Sequence, residues 1–284
     1  MKNFIIILSS LLAMFWNTEN FFDFREGKNS KAHFYAKCEG LGKEIFRAAD
    51  SLGRLPDLVG LAEVENGFVL RQLVRSTLLR KTDYSVIHYE SPDHRGIDCA
   101  LLYRSTCLEL IDSKPCHITD SCGKVMETRD ILLASFTDHD GRRIDVLVNH
   151  HPSKFGGKGT SEGRERALRR MEGIRDSLAW EGGLFISFGD FNEEPGYEID
   201  GLEDISVPLK EKGLGTIRFN GNWELIDRCY VQEGTDAYMT IFSDSALNVK
   251  DAAHGGQKPR RTNSGPRYIG GLSDHYPILI RIDY

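Results

Sequence analysis

Short apolar runs, each ended by turn-forming or charged residues, recur along the chain and predict β-strands. They lie at about 11–16, 57–63, 84–90, 97–104, 107–112, 128–137, 143–150, 184–189, 225–231 and 277–283. Asp140-Gly141, between two of these runs, is typical of a hairpin turn. The pattern therefore predicts a strand-rich chain in which some neighbouring strands are joined by hairpins.

Helical spacing of apolar residues occurs in three stretches, at about 32–52, 66–80 and 162–180. The last stretch has one predicted buried face, formed by Leu168, Met171, Ile174 and Leu178. Ser161 is placed to cap the start of that helix. Strands joined partly by hairpins and partly by helices predict an α/β or α+β layered sandwich. Because no repeat or linker divides the chain, we expect one domain.

The N-terminal residues fit two descriptions. Lys2 followed by FIIILSSLLA resembles a signal peptide with Ala13 as its cleavage point, and it is too short to span a bilayer as a helix. LLAMFWN also fits a buried strand, half of which cleavage at Ala13 would remove. Residues 1–13 are therefore either a signal peptide or the start of the first strand, and 14–284 form the domain. Both a cytoplasmic and an exported protein fit this pattern.

Composition and charge exclude a disordered chain and a disulfide scaffold, but they do not identify a function. The 284 residues carry 36 Lys+Arg and 42 Asp+Glu, a net charge of −6, and 40% are hydrophobic. Such a chain is globular rather than disordered, and a broad basic surface for nucleic acid is not expected, although a local basic cleft is compatible. Six cysteines are too few for a disulfide scaffold. Either Cys116 and Cys122 close a small loop, or, as base rates favour, all six are reduced and mostly buried.

Polar side chains that bind metals or move protons stand at the ends of six apolar strands. They are Asn17, Thr18 and Glu19, then Glu63, His150 and His151, Asp190 and Asn192, Asp227, and finally Asp274 and His275. A rigid sheet presents such residues to solvent and substrate. One strand-end carboxylate is usually a turn or a cap, but six such sets in one chain predict a shared site.

These residue types suit phosphoryl transfer assisted by a hard metal ion. Mg²⁺ prefers oxygen ligands and keeps several waters, so Glu63 can hold it with Asn17 and Asp274, directly or through water. Mn²⁺ fits the same ligands. Asp190 in GDFN is the candidate base for water, and Asn192 and a histidine are candidate donors to phosphate. No GxxxxGK[ST] or GxGxxG motif indicates a nucleoside-triphosphate enzyme or a dinucleotide enzyme.

Seven segments between about Phe15 and Ile280 resemble, in order, motifs of the endonuclease/exonuclease/phosphatase superfamily. They are WNTENFFD, DLVGLAEVEN, GIDCALLYR, VNHHPSKFGG, GDFNEEP, WELIDRCYV and LSDHYPILI. The resemblance implies an α/β (α+β) four-layer sandwich, two packed mixed β-sheets flanked by helices, with the site at one end. It also implies a metal-dependent hydrolase of phosphate esters.

The resemblance implies roles for the matched residues. Glu63 matches a metal-binding glutamate, with Asn17 beside it, and Asp274 belongs to the closing SDH. Asp190 and Asn192 match the pair that orients the attacking water and contacts phosphate.

Histidines and their supports complete the set that the resemblance implies. His150, or the adjacent His151, matches a histidine after a strand, and Asp227 matches the carboxylate that supports His275. Arg129 in METRD resembles an arginine that contacts phosphate. For Tyr103 in LLYR, contact with substrate and packing on the sheet are equally favoured.

Three functions remain open at this level. The first is a Mg²⁺-dependent, nuclease-like phosphodiesterase using in-line water attack, with RERALRR (164–170) and QKPRR (257–261) lining a groove. The second is a phosphomonoesterase for a small phosphorylated metabolite, sugar or lipid headgroup, which the acidic balance favours. The third is an inactive scaffold on the same fold, against which the intact site residues argue. We expect a monomer without a stable membrane span.

Residues 243–271 show no periodicity and predict a long irregular loop directly before Asp274. Its cations can either bind a second phosphate of the substrate or only keep the surface soluble. They are Lys258, Arg260, Arg261 and Arg267.

Overall fold

The computed structural model describes residues 10–25, 27–154, 158–178 and 183–284. The helices of this part of the chain are α1 (Lys31–Leu52), α2 (Gly67–Ser76), α3 (Lys158–Ser177) and α4 (Val207–Glu211). Its strands are β1 (Ser10–Phe21), β2 (Leu58–Val64), β3 (Tyr84–His88), β4 (Asp98–Arg104), β5 (Leu108–Cys116), β6 (Ile131–Asp138), β7 (Arg143–His150), β8 (Leu184–Asp190), β9 (Leu202–Asp204), β10 (Ile217–Phe219), β11 (Asn222–Glu224), β12 (Asp227–Gln232), β13 (Asp236–Ile241), β14 (Asn248–Lys250), β15 (Gln257–Pro259), β16 (Asn263–Ser264), β17 (Arg267–Tyr268) and β18 (Ile278–Asp283).

Two six-stranded mixed sheets form the centre of the fold. The first has the order β13-β18-β1-β2-β4-β3, and the second has the order β5-β6-β7-β8-β12-β9. Each sheet has one parallel pair near its middle, β1 with β2 and β7 with β8, while the other neighbours are antiparallel. Parallel neighbours end at the same edge, so each sheet brings two strand ends together at one place.

The inner faces of the two sheets pack against each other. The rings of Phe15 on β1 and Phe188 on β8 lie 6.2 Å apart in this layer, and both are fully buried. Gly60 on β2 makes room for Phe188, because a Cβ there would lie 2.3 Å from its ring. Alternating apolar residues on both inner faces therefore build one continuous core.

Helices cover both outer faces and complete the predicted four-layer sandwich. Apolar side chains of α1 and α2 pack on the outer face of the first sheet. Leu168, Met171 and Ile174 of α3 are buried against the second sheet, which confirms the predicted face of this helix. However, α3 begins at Lys158, so Ser161 lies inside the helix and the predicted cap is wrong.

Several elements differ from the sequence-based expectation. The helix predicted at 66–80 is α2 followed by a 3₁₀ turn at Leu78–Lys81, because Thr77 between them has extended backbone and its hydroxyl accepts from Leu79 N–H. The predicted irregular loop at 243–271 contains two small hairpins, β14 with β15 and β16 with β17. Strands of two or three residues are too short for a visible period, so the pattern missed them.

The first strand extends through the ambiguous N-terminal segment. Ala13 is fully buried, and its backbone is paired with Leu58 on one side and Ile280 on the other. Residues 10–13 therefore form part of the first sheet. Residues 1–9, the greater part of the signal-like run, lie outside the described residues.

The six cysteines are free thiols, and Cys38, Cys99, Cys116 and Cys229 are buried. Cys122 is exposed and Cys107 half-buried. Within the described residues, no helix combines the length and the apolar character that crossing a membrane requires.

Candidate active site

The four central strands of the two sheets place polar residues at one end of the sandwich. Asn17 and Glu63 come from β1 and β2, and His150 and Asp190 face each other at the ends of β7 and β8. They line a pocket of about 380 Å³, together with Asn192, Asp274 and His275 from the adjoining loops. The structure thus brings seven of the ten predicted site residues to one pocket.

Asn17 joins the two acidic strand ends. Its Nδ2 donates to Asp190 Oδ2 at 3.0 Å and lies 3.5 Å from Glu63 Oε1, while its Oδ1 accepts from the backbone of Glu19. His150 Nε2 lies 3.6 Å from the same Asp190 oxygen and 3.9 Å from Glu63 Oε1. One amide and one imidazole therefore separate two carboxylates that would otherwise repel each other.

Backbone strain accompanies Glu63. Its φ is 60°, in the left-handed region that residues with a Cβ seldom occupy, and the pairing register of β2 shifts between Leu61 and Val64. Its Oε2 accepts from Asn20 N–H at 2.8 Å, and Asn20 also has a positive φ, 52°. Such strain persists where surrounding structure fixes it, and it is typical of functional sites.

His275, Asp227 and Asp190 form a buried chain of ionisable groups. His275 Nδ1 lies 2.8 Å from Asp227 Oδ2, and His275 Nε2 lies 4.0 Å from Asp190 Oδ2. Burial opposes charge on the imidazole, but the Asp227 carboxylate outweighs it and holds the pKa of His275 well above its ordinary value. Burial, reinforced by Asp227, raises the pKa of Asp190 to about 7.

His150, rather than His151, faces the pocket. Burial and the nearby positive charges, first that of Arg129, hold the pKa of His150 well below its ordinary value, so this imidazole is neutral. His151 points away and packs edge-on against Phe191 at 4.6 Å, and burial lowers its pKa to about 3. The sequence left the choice between His150 and His151 open, and the structure places His150 in the pocket lining. The catalytic role of His150 stays a prediction.

The turn after β8 holds Asn192 beside Asp190. Asn192 has φ 50°, its N–H donates to Asp190 Oδ1 at 2.9 Å, and its Nδ2 donates to His151 O at 3.0 Å. Gly189 allows the close approach of β7, because a Cβ there would lie 2.2 Å from Asn149 O. Glycine in GDFN is therefore required by packing between neighbouring strands.

Asp274 lies at the rim of the pocket and is engaged by a cation. Arg261 Nη2 donates to its Oδ2 at 2.9 Å, and Arg261 Nε donates to Glu19 Oε1 at 3.1 Å. Of the four cations of the 243–271 segment, Arg261 lines the pocket. Lys258 instead pairs with Asp251, and Arg260 donates to Ile269 O.

The structure places the two predicted substrate contacts, Arg129 and Tyr103, outside the lining of this pocket. The Arg129 guanidinium is buried below the site, where it binds Asp93 Oδ2 at 3.2 Å and the carbonyl of His151. Tyr103 pairs with Leu58, at the opposite end of β2 from Glu63, because β4 runs antiparallel to β2. Its ring packs on Phe136 with centroids 5.0 Å apart, as the alternative interpretation predicted.

Sequence reasoning missed several residues that line the pocket. Arg95 stands in the turn before β4, held by an Asp93 side chain that accepts from its backbone N–H at 3.0 Å. Lys154 lines the pocket and pairs with Glu224 at 2.5 Å. Ile217 and Phe219 of the β10–β11 hairpin form an apolar wall. The sequence DHRG is typical of a turn before a strand, and this pattern could have indicated that Arg95 lies in a loop.

The donor set fits a hard divalent cation at Glu63. Its Oε1 borders the pocket, and the neighbouring groups are the carboxylates and amides that such a cation prefers. The ligand atoms of Asp190, Asp227 and His275 also lie within 4.8 Å of one another. Asp227 and His275 already bind each other through a 2.8 Å hydrogen bond, whereas Glu63 lines the pocket, so Glu63 is the better candidate.

A sandwich of two mixed sheets with acids, amides and imidazoles at one end defines a phosphoesterase-type site. The sequence profile of the Endonuclease/Exonuclease/phosphatase family matches residues 14–284. The chain belongs to this family, and it is a hydrolase of phosphate esters that depends on a divalent metal. No curated protein matches the sequence.

Solved structures with low sequence identity share the fold. D. rerio TDP2 complexed with a single-strand DNA product is 17% identical, with a TM-score of 0.65 over 97% of this chain and 100% of that one. A Bacteroides thetaiotaomicron endonuclease/exonuclease/phosphatase family protein is 16% identical, with a TM-score of 0.65 over 98% of both chains. The Bacteroides thetaiotaomicron mannosyl-6-phosphatase Bt3783 is 16% identical, with a TM-score of 0.62 over 96% of this chain and 100% of that one.

Proposed function

We propose that this protein is a Mg²⁺-dependent phosphomonoesterase that acts on a small phosphorylated metabolite, with sugar phosphates as the first class to test. The observation that carries this choice is the state of the basic segment on α3. Arg164, Arg166 and Arg169 of α3 pair with Glu193, Glu162 and Glu165. Cations neutralised in this way do not form the row of positive charge that a nucleic-acid backbone requires.

The size and lining of the pocket support a compact substrate. Its volume of about 380 Å³ lies at the lower end of the range typical of small-molecule sites. Arg95 shares the Asp93 carboxylate with Arg129, so one positive charge is left for a phosphate, and the wall formed by Ile217 and Phe219 faces the remainder of the substrate. The similar fold of a mannosyl-6-phosphatase adds to this support. Because TDP2 in complex with a DNA product also has a similar fold, DNA is included among the substrates to be assayed.

We assign the chemical steps to the residues of the pocket. Glu63 would hold the Mg²⁺, with Asn17 and Asp274 close by, and the bound ion would neutralise phosphate charge. Asp190 would accept a proton from water as the water oxygen bonds to phosphorus, and a pKa near 7 suits this role at neutral pH. The bond to the leaving oxygen breaks, that oxygen takes up a proton from solvent water, and Asp190 returns its own proton to solvent afterwards.

Donors to the phosphate come from the other side of the pocket. His275, kept as imidazolium by Asp227, would donate a charge-assisted hydrogen bond to a phosphate oxygen. Neutral His150 and the amide of Asn192 would contact the same group. Asp227 fixes His275, and the carbonyl of His151 fixes the Asn192 amide, before substrate arrives, which is what transition-state stabilisation requires.

A parallel assay tests the proposal. Purified protein with Mg²⁺ is given a panel of sugar phosphates and other phosphomonoesters, a generic phosphodiester, single-stranded DNA and supercoiled plasmid. We expect phosphate release from monoesters with intact DNA, and loss of that release in Asp190→Ala. DNA cleavage that disappears in Asp190→Ala would instead establish the phosphodiesterase function.

A further inference from the structure

We propose that Lys37 is a positioning residue for Glu63, acting through the left-handed turn at Glu19 and Asn20. The inference rests on the proposed function, in which Glu63 holds the metal. Lys37 lies in the middle of α1, outside the pocket, and takes no part in the chemistry assigned above. Its side chain nevertheless connects three segments that shape the metal end of the site.

Lys37 is a fully buried lysine, only 1% exposed. Its ammonium donates to Glu19 O at 2.7 Å and to Thr262 Oγ1 at 2.7 Å. Lysine is rarely buried in this way unless its charge is compensated. Burial lowers the pKa of Lys37 to about 8, and the carboxylates of Glu19, Glu63 and Asp274 oppose that fall. The acidic end of the pocket therefore stabilises the buried cation.

The carbonyl that Lys37 binds belongs to a strained turn. Glu19 and Asn20 are consecutive residues with φ of 47° and 52°, although each has a Cβ. Two such residues in succession are unfavourable unless other contacts hold them. A buried ammonium on Glu19 O supplies one such contact from below the turn.

The side chain of Glu19 holds the same turn from the opposite side. Its Oε2 accepts from Thr262 N–H at 2.5 Å, and its Oε1 accepts from Arg261. Thr262 is thus bound both to the Glu19 carboxylate and, through its hydroxyl, to Lys37. The turn is therefore clamped between α1 and the segment that precedes β16.

These contacts hold the backbone N–H of Asn20 in position as a hydrogen-bond donor to Glu63. Asn20 N–H donates to Glu63 Oε2 at 2.8 Å, which leaves Oε1 toward Asn17 and the pocket. If the turn relaxed to an ordinary backbone conformation, this donor would move away and the Glu63 carboxylate would be free to rotate. Lys37 acts through Glu19 and Asn20, and no hydrogen bond joins it to Glu63 itself in the described structure.

Metal binding without substrate tests the proposal. Mn²⁺ is titrated into the full chain, and free Mn²⁺ is followed by electron paramagnetic resonance. Loss of an outer contact of a metal ligand typically weakens metal affinity by about 10–100-fold. We expect a loss in this range for Lys37→Met and a change below about 2-fold for Lys43→Met, a control on the same helix that removes an exposed lysine paired with Glu39.

A second variant separates the turn from general destabilisation. Glycine adopts positive φ readily, so Asn20→Gly should lessen the dependence of the turn on Lys37. In the Asn20→Gly background, we expect Lys37→Met to fold and to recover most of the lost Mn²⁺ affinity. Wild-type affinity in folded Lys37→Met, no recovery in the double variant, or failure of the double variant to fold would each overturn the proposal.

Glu63→Gln distinguishes this inference from the proposed function. If Glu63→Gln binds Mn²⁺ as the wild type does, the assignment of the metal to Glu63 fails, and the role of Lys37 fails with it. If Glu63→Gln loses Mn²⁺ while folded Lys37→Met keeps it, only the role of Lys37 is wrong.

Discussion

His275 and Asp227 are joined by a buried hydrogen bond of 2.8 Å between imidazole Nδ1 and carboxylate Oδ2, and the opposite ring nitrogen lies 4.0 Å from Asp190 Oδ2. Asp227 therefore has two effects on the same site. It stabilises the charged form of His275, and it raises the pKa of Asp190 beyond what burial alone would do. One carboxylate therefore acts on both the donor and the base of the proposed reaction.

Asp227→Asn should lower kcat by about 10²–10³-fold, the range typical of losing one hydrogen-bond donor to the transition state. Without the carboxylate, the pKa of His275 falls, and the neutral imidazole is a weaker donor to phosphate. Steady-state kinetics and the NMR chemical shifts of the His275 ring measure the two effects. Turnover within threefold of the wild type would contradict the assigned support of His275.

Asp190→Asn should lower kcat by about 10²–10⁴-fold with the protein still folded, because the amide cannot accept a proton from water. Circular dichroism and thermal unfolding check the fold. Asp244→Asn, which changes a surface carboxylate paired with Arg47, is the matched control and should leave kcat unchanged.

The pH dependence follows from the raised pKa of Asp190, about 7. Below that pH the carboxyl is protonated and cannot accept a proton, so kcat/KM should rise with pH and level off above the pKa. A bound cation favours the carboxylate, so increasing Mg²⁺ should move the midpoint to lower pH. Profiles at two Mg²⁺ concentrations measure this shift, and a midpoint that stays near pH 4 throughout would argue against Asp190 as the base.

Arg95 and Arg129 should respond differently to substitution by glutamine. Arg95 lines the pocket, so Arg95→Gln should raise KM by about 10-fold or more with little change in unfolding free energy, as expected for loss of a charge-assisted contact. Arg129 is buried with Asp93, so Arg129→Gln should lower the unfolding free energy by about 3 kcal/mol. Urea unfolding with kinetics on the same samples separates the two cases. Equal losses of unfolding free energy in Arg95→Gln and Arg129→Gln would contradict the assignment of a binding role to one arginine and a structural role to the other.

Strand ends were the part of the site that the sequence could predict. Apolar runs ending in Asn17, Glu63, His150 and Asp190 mark positions at the edge of a sheet, and the parallel pairs bring those ends together. Tyr103 shows the limit of this argument. A strand-end tyrosine looks the same whether its strand runs toward the site or away from it, and β4 runs away.

Contacts between distant segments explain the other misses. Arg129 is buried because Asp93 and the carbonyl of His151 bind it, and neither partner can be recognised from the METRD segment. Arg95 has no apolar period around it and becomes visible only when its turn meets the pocket. Hairpins within 243–271 consist of strands of two or three residues, below the length at which alternation is informative.

The pairing of β1 with β18 affects how the chain folds while it is being synthesised. Ser10 pairs with Asp283 in that ladder, and Ser273 Oγ donates to Asn17 O beside the pocket. During synthesis on the ribosome, the backbone groups on one edge of β1 therefore stay unpaired until β18 has emerged. We expect nascent chains to be inactive and folding to be slow, because its contacts join residues far apart in sequence. An unpaired β1 edge also makes the unfinished chain prone to aggregation through strand pairing.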